Sequence, residues 1–158
     1  MLLKHQYQIR SAYHDEWDDA MALAWKTFLQ FEADCYTIEG VRNFEDFITD
    51  STLYRMFVMG VYQMFVALDG KKIVGMLTLR NNSHISLLFV DEKYHRQGIG
   101  RALVEYLREY LLSEAGVEKV TVNASPYGVA FYHKIGFKDI RPEEKKDGII
   151  YTPMEFVL

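Results

Sequence analysis

The chain has one cysteine, Cys35, among 158 residues. A lone thiol closes no internal disulfide, so nothing points to an oxidising compartment, and a cytoplasmic location is expected. There are three prolines and no Pro/Gly/Ser-rich tract, repeat or low-complexity segment, so one domain over 1–158 is expected. No apolar run approaches the ~18 residues of a membrane span, and no membrane partner is expected. The opening MLLKHQYQIR is too polar for a signal peptide. Lys and Arg total 18 against 22 Asp and Glu, a formal net charge of −4. The basic footprint of a nucleic-acid binder is therefore absent. A mildly acidic surface suits a cationic substrate, although acidity of this size also serves solubility alone. No His/Cys/Asp spacing suggests a metal. What the chain does have is 49% apolar and 15% aromatic residues, a globular composition with length enough to bury a core.

Hydrophobic period and turn chemistry divide the chain. Residues 6–12 read as a short strand. Acids at His14-Asp15-Glu16 open a helix, where the N-terminal dipole favours them. Trp17, Met21, Trp25 and Phe28 follow at helical spacing. A second helix is expected at about 38–49 and a further turn or short helix at 51–59. From residue 61 the period changes. VYQMFVAL and KKIVGMLTL flank Asp69-Gly70, a hairpin signal. HISLLFVD (84–91) reads as a third strand, apolar enough to suggest burial on both faces. A helix over 98–115 carries the stripe Leu103, Tyr106, Leu107, Tyr110, Leu111 and stops at Gly116. VEKVTVNA is a strand. Ser125-Pro126 starts a short helix that ends at Gly136. FKDI and GIIYTPMEFVL close the chain as strands around RPEEKKDG, read as a solvated loop. The sum is a mixed sheet with helices packed on it.

YHRQGIGRAL (94–103) raises the functional question. A strand, a turn, Gly-x-Gly and a helix put open first-turn N–H groups beside a bound anion. Glycine lets phosphate oxygens approach the backbone. His95, Arg96 and Arg101 add positive potential. A dinucleotide fingerprint needs a third glycine where Leu103 stands, and a P-loop needs Gly-Lys-Ser/Thr, which is absent. The pyrophosphate of coenzyme A and a plain tight helix start remain open.

The longer stretch LLFVDEKYHRQGIGRALVEYL resembles the acyl-CoA-binding motif of the GCN5-related N-acetyltransferase (GNAT) superfamily, (Gln/Arg)-x-x-Gly-x-(Gly/Ala). TVNASPYGVAFYHKIGF (121–137) resembles the same family's second motif, and the two lie in register. The resemblance implies a mixed, mostly antiparallel α/β (α+β) sheet of about six to seven strands, flanked by four to five helices. Strands four and five are expected to splay. It implies acetyl-CoA as cofactor, its pyrophosphate held by the amides of Arg96, Gln97, Gly98, Ile99, Gly100 and Arg101. His95 stands where the family has Gln or Arg, so the side chain expected to fold over the turn is changed.

The same resemblance implies that pantetheine pairs with Leu88, Phe89 and Val90, with the Leu88 amide facing the thioester oxygen. Asn123 is expected to hydrogen-bond the pantetheine or a water, and otherwise to help terminate its strand. Tyr132 matches the family's general acid; a phenol with a reference pKa of ~10 holds its proton at neutrality. Tyr127 and Phe131 read as packed aromatics. Some members carry a basic Glu eleven residues before the motif. That position here is His84, whose reference pKa of ~6.5 suits a base; a solvent-facing strand histidine is the alternative. Glu32 and Asp34, in the segment that lines the acceptor pocket, are read as binding a cationic acceptor, relaying a proton, or simply being solvated. His5 and His14 read as surface residues, His133 as pointing away from Tyr132, and Cys35 as a buried thiol. The expected activity is acetyl transfer to a primary amine of a small molecule or peptide by direct attack. An acyl-CoA sensor without turnover and an O-acyl or longer-chain acyltransferase remain alternatives. A homodimer is expected from the family's habits.

Overall fold

In a computed structural model of the chain, residues 7–114 and 116–158 are described; the readings at His5 and Gln6, and the helix end expected at Ala115, lie outside them. The eight strands are β1 (Gln8–Ser11), β2 (Tyr62–Asp69), β3 (Lys72–Arg80), β4 (His84–Val90), β5 (Lys119–Ala124), β6 (Lys138–Asp139), β7 (Glu144–Lys146) and β8 (Ile149–Val157). The helices are α1 (Trp17–Phe31), α2 (Ile38–Ile48), α3 (Ser51–Val58), α4 (Ile99–Leu112) and α5 (Val129–Lys134). The strands run in the order β1-β2-β3-β4-β5-β8-β6, with β7 paired to β8. All pairs are antiparallel except β4–β5. Among the described residues no helix is long and apolar enough to cross a membrane.

Alternation along the strands feeds two cores. Tyr62, Met64, Val66 and Leu68 of β2, with Leu87 and Phe89 of β4, meet Trp17, Met21 and Phe28 of α1 and Leu53 and Phe57 of α3. Phe65 and Ala67, one residue out of phase, meet Leu103, Leu107 and Leu111 of α4 on the opposite face. Burial of each such leucine stabilises by roughly 1.5–3 kcal/mol. The i, i+4, i+8 leucine stripe therefore seats α4, and seating α4 sets where its N-terminus points.

Two departures from the sequence reading shape the cleft. β4 feeds both cores, Ile85 on the α4 side and Leu87 and Phe89 on the α1 side, but His84, Ser86, Leu88 and Val90 are only half-buried. The buried side switches at Ser86, and the break between β4 and β5 beyond Ile85 leaves Leu88 and Val90 partly uncovered. RPEEKKDG is not a plain loop. Its Glu144–Lys146 pairs with Ile149–Tyr151 as a hairpin, turning through Asp147 and Gly148, both with positive φ. The hairpin tip rests on the start of α2, where the Thr37 N–H donates to the Gly148 carbonyl at 3.2 Å. A Cβ on Gly40 would overlap that oxygen, and one on Gly148 would overlap Thr37 Oγ1, so both glycines are needed for the approach.

Candidate active site

The parallel pairing of β4 with β5 consists of His84 with Thr121 and Ile85 with Val122, and then it ends. The β3–β4 register explains the opening. Thr78 pairs with Leu87 and Leu79 with Ile85, so Ser86 is an extra residue on β4. A bulge bends its strand and ends pairing. Beyond it, the Asp91 N–H donates to the Val74 carbonyl at 2.8 Å. Antiparallel residues alternate between bonding the neighbour and facing away. Counting back from Asp91, Phe89 and Leu87 face β3, while Val90 and Leu88 direct their backbone groups into the gap. Of the three expected strand contacts, Leu88 thus presents its polar backbone to the cleft and Val90 its N–H, the Val90 carbonyl accepting from the His95 ring. Phe89 spends its backbone on the ladder and its side chain in the core beneath α1.

The other wall of the gap leads to the glycine turn. Gly98 caps α4 at φ +82° with no side-chain acceptor, so the first-turn amides stay open. Arg96 also has positive φ, a conformation that costs a non-glycine residue of order 1–3 kcal/mol and clusters at binding loops. The Gln97 side chain accepts from the Tyr7 hydroxyl, tying the turn to the start of β1. His95 does not fold over the turn: its Nε2–H donates to the Val90 carbonyl at 2.7 Å. Its ring packs on Phe31 at 5.1 Å. Phe31 in turn stacks on Tyr127 at 5.0 Å. Tyr127, read from sequence as a packed aromatic, is instead exposed, part of a stack that bridges α1 to the β5–α5 turn. Phe131 is half-buried beside Gly100 and Tyr132.

These elements bound one cleft of about 1550 Å³. Arg96, Gly98, Ile99, Gly100, Arg101, Leu88, Val90, His95, Asn123, Tyr132, His84 and Glu32 all line it, which brings together nearly every residue singled out in the sequence. Asp34 is exposed on the turn after α1 and does not line the cleft. Cys35 is half-buried. His14 sits at the surface against Phe57, and His133 pairs outward with Asp139 at 2.6 Å.

Tyr36 and Tyr132 both lie close enough to Glu32 to feel its charge. Tyr132 is buried; burial first, then the charge of Glu32, pushes its hydroxyl well above the ordinary phenol value. Glu32 lies at the end of α1, and burial pushes its carboxyl up to about 7, against the pull of a hydrogen bond from Ser125. Tyr36 is raised by burial and by the same Glu32. His84 stands at the closed end of the gap with Nδ1 2.8 Å from Thr121 Oγ1. Burial, then the nearby Arg80 charge, lowers it to about 4. Sequence reasoning missed the Ser86 bulge, Tyr36, Arg80 and the Ser125 contact with Glu32. None of these has a spacing signature, because each arises from strand register or from helix ends brought together in space.

The arrangement fits a long diphosphate ester of thiol type. The open amides at the start of α4 suit phosphates, as do Arg96 and Arg101, and the free edge of β4 suits an amide-bearing arm. A model of the acetyltransferase (GNAT) domain matches residues 32–158. The uncharacterized N-acetyltransferase YafP of Escherichia coli (strain K12) is 32% identical over 81 residues, 51% of this chain and 49% of that protein; the matched segment spans about half the length of that relative. A GCN5-related N-acetyltransferase from Rhodopseudomonas palustris superimposes with a TM-score of 0.83 at 21% identity, covering 100% of this chain and 99% of that one. The PaiA N-acetyltransferase from Thermoplasma acidophilum, solved in complex with coenzyme A, gives a TM-score of 0.81 at 18% identity over 98% of this chain and 100% of that one.

Proposed function

The chain belongs to the GNAT acetyltransferase family, and from that premise we propose that it acetylates a primary amine of a small molecule or peptide by direct attack, as a single domain. The family's cofactor is acetyl-CoA, and the neighbour from Thermoplasma acidophilum was solved with coenzyme A. The observation that carries the reading is the gap opened at Ser86, with the open turn of α4 at one end and the pair Glu32 and Tyr132 beside it.

Bound in that gap, acetyl-CoA supplies an activated acetyl thioester. The amides from Arg96 to Arg101 hold its phosphates, with Arg96 and Arg101 as the cations. Leu88 N–H is aimed to donate to the carbonyl oxygen as charge gathers there, and a preorganised donor of this kind contributes ~3–4 kcal/mol. Glu32 takes the proton of the attacking ammonium. A carboxylate titrating at about 7 is matched to that task at neutral pH, whereas an imidazole lowered to about 4 is a weak base there. The role expected of His84 therefore passes to Glu32 in this reading, and His84 serves as a neutral polar wall fixed by Thr121. Tyr132 returns a proton to the departing thiolate; its raised value keeps the hydroxyl loaded at every physiological pH. Asn123 and His95 shape the channel walls.

Release of free thiol from acetyl-CoA in the presence of a panel of primary amines tests this. Amine-dependent release with formation of the N-acetyl product is expected. Tight CoA binding with no acetylated amine supports the sensor alternative instead.

A further inference from the structure

Two elements meet beside Glu32. α1 ends at Phe31, and Glu32 follows it. β5 ends at Ala124, and Ser125 follows it. Phe31 stacks on Tyr127 with ring centroids 5.0 Å apart, which docks the end of α1 on the turn leading into α5. One residue on from that stack, the Glu32 carboxyl meets the Ser125 side chain. Both residues line the cleft.

The turn decides which way the Ser125 hydroxyl points. Its Oγ accepts from the Gly128 N–H at 3.2 Å. A hydroxyl has one proton and two lone pairs. The Gly128 N–H takes up a lone pair, so the proton is left for an acceptor, and the carboxylate is that acceptor. A hydrogen bond to an ionised partner is roughly twice as strong as a neutral one. The same turn carries the acid. The Tyr132 N–H donates to the Gly128 carbonyl at 3.1 Å, and a Cβ on Gly128 would stand 3.4 Å from Ser125 Oγ and 3.5 Å from the Tyr132 ring. Ser125 thus touches the side chain of Glu32 directly and the seat of Tyr132 through Gly128.

No cation shares the carboxylate. Among the described residues no Lys, Arg or His lies within 4 Å of Glu32. The titratable groups that face it are Tyr36, with Cys35 beside that ring, and Tyr132 from α5. Burial and the Ser125 hydrogen bond act on Glu32 in opposite directions.

Resting on the reading of Glu32 as the base, we propose that Ser125 is its positioning residue: the hydroxyl, aimed by the Gly128 N–H, holds the Glu32 carboxylate beside Tyr132 and favours the form that accepts a proton. Without the hydroxyl, burial acts unopposed. The carboxyl then titrates higher, and fewer molecules carry a working base at neutrality. A serine that served its turn alone would lower the rate by one factor at every pH.

Ser125→Ala and Ser125→Thr separate the two roles. Threonine keeps the hydroxyl, and its β-branch suits the extended backbone of a residue before proline. Calorimetric titration with CoA comes first and shows that each variant is folded; loss of CoA binding in S125A makes Ser125 a structural cap and overturns the proposal. Next, kcat/KM for amine-dependent thiol release is followed from about pH 6 to about pH 9. S125A should move the acidic limb up by about one pH unit, a ~10-fold deficit at the acid end that closes at the alkaline end. S125T should follow the parent. An unmoved limb, an equal loss at every pH, or S125T behaving as S125A overturns the proposal. The Glu32 carboxyl carbon, identified by its loss in Glu32→Gln, is also titrated by NMR in the CoA-bound protein, which needs no turnover. Its midpoint should rise in S125A and return in S125T. A midpoint that moves in a protein that acetylates no amine overturns the catalytic reading; a midpoint that stays in a protein that does acetylate overturns Ser125 alone.

Discussion

At the scale of single residues, the cleft separates two protonation tasks by environment. Glu32 and Tyr132 sit close enough for the carboxylate to perturb the phenol, yet one is tuned to lose its proton near neutrality and the other to keep it. A base works only when deprotonated. With the carboxyl at about 7, kcat/KM should rise through pH 7 and level off above it. Glu32→Gln should lose that acidic limb along with most of the rate, while His84→Ala should keep the limb. A profile abolished by H84A and retained by E32Q reverses the assignment. The same shift carries a stability sign. A carboxyl raised from its ordinary 4.5 to about 7 binds more protons folded than unfolded, so its contribution to stability falls as pH climbs through that window. E32Q should accordingly raise Tm at pH 8 and leave it nearly unchanged at pH 4. Tyr132→Phe should lower kcat at least ~10-fold with little change in acetyl-CoA affinity, a bound set below the ~100-fold at which acid–base contributions typically begin; an unaltered kcat removes the hydroxyl from the chemistry.

At the scale of elements, the site is made by two local irregularities. One is Gly98 at φ +82°, which turns the chain so that α4 starts with its amides toward the cleft. Gly98→Val places a β-branched residue in a conformation it strongly resists and adds bulk beside the phosphate path. Acetyl-CoA should bind at least ~10-fold more weakly by calorimetry, and normal affinity would place the phosphates elsewhere. The other irregularity is the bulge at Ser86. The first was legible in the sequence and the second was not, for a physical reason. Gly-x-Gly followed by the stripe Leu103, Leu107, Leu111 is local information: a turn that needs glycine, then one helix face. The elements from β1 to α4 were legible on the same grounds, since period and turn residues decide them within a dozen positions. A bulge depends on which residue of β3 faces which residue of β4, and HISLLFV has no mark for it. The hairpin of β7 and β8 was hidden differently. GluLysLys is a poor strand former alone and pairs because Asp147-Gly148 supplies a tight turn and Thr37 anchors its tip. The partner of Glu32 was out of reach for the same cause: α1 ends and β5 ends meet only in three dimensions.

For the molecule as a whole, charge is distributed against the average. The chain carries a formal −4, and a uniformly acidic body would repel a cofactor as negative as coenzyme A. Five of the 22 acids, Glu16, Asp91, Glu105, Glu155 and Glu144, each hold a cation. Such pairs act as short dipoles and fade within a Debye length, about 10 Å at 0.1 M salt. Arg96 and Arg101, by contrast, stand directly where the phosphates are placed. Contact-range attraction should therefore outweigh repulsion from the acidic remainder, and salt decides between them experimentally. If attraction dominates, raising sodium chloride from about 0.05 M to about 0.5 M weakens acetyl-CoA binding several-fold, because screening then costs more attraction than it relieves repulsion. If net charge dominates, the same salt tightens binding. The expected outcome is weakening, with a shallower salt dependence in Arg96→Gln and Arg101→Gln than in the parent. Affinity that is flat or improves with salt would mean that backbone amides alone hold the phosphates and that the cations lining the cleft serve another ligand.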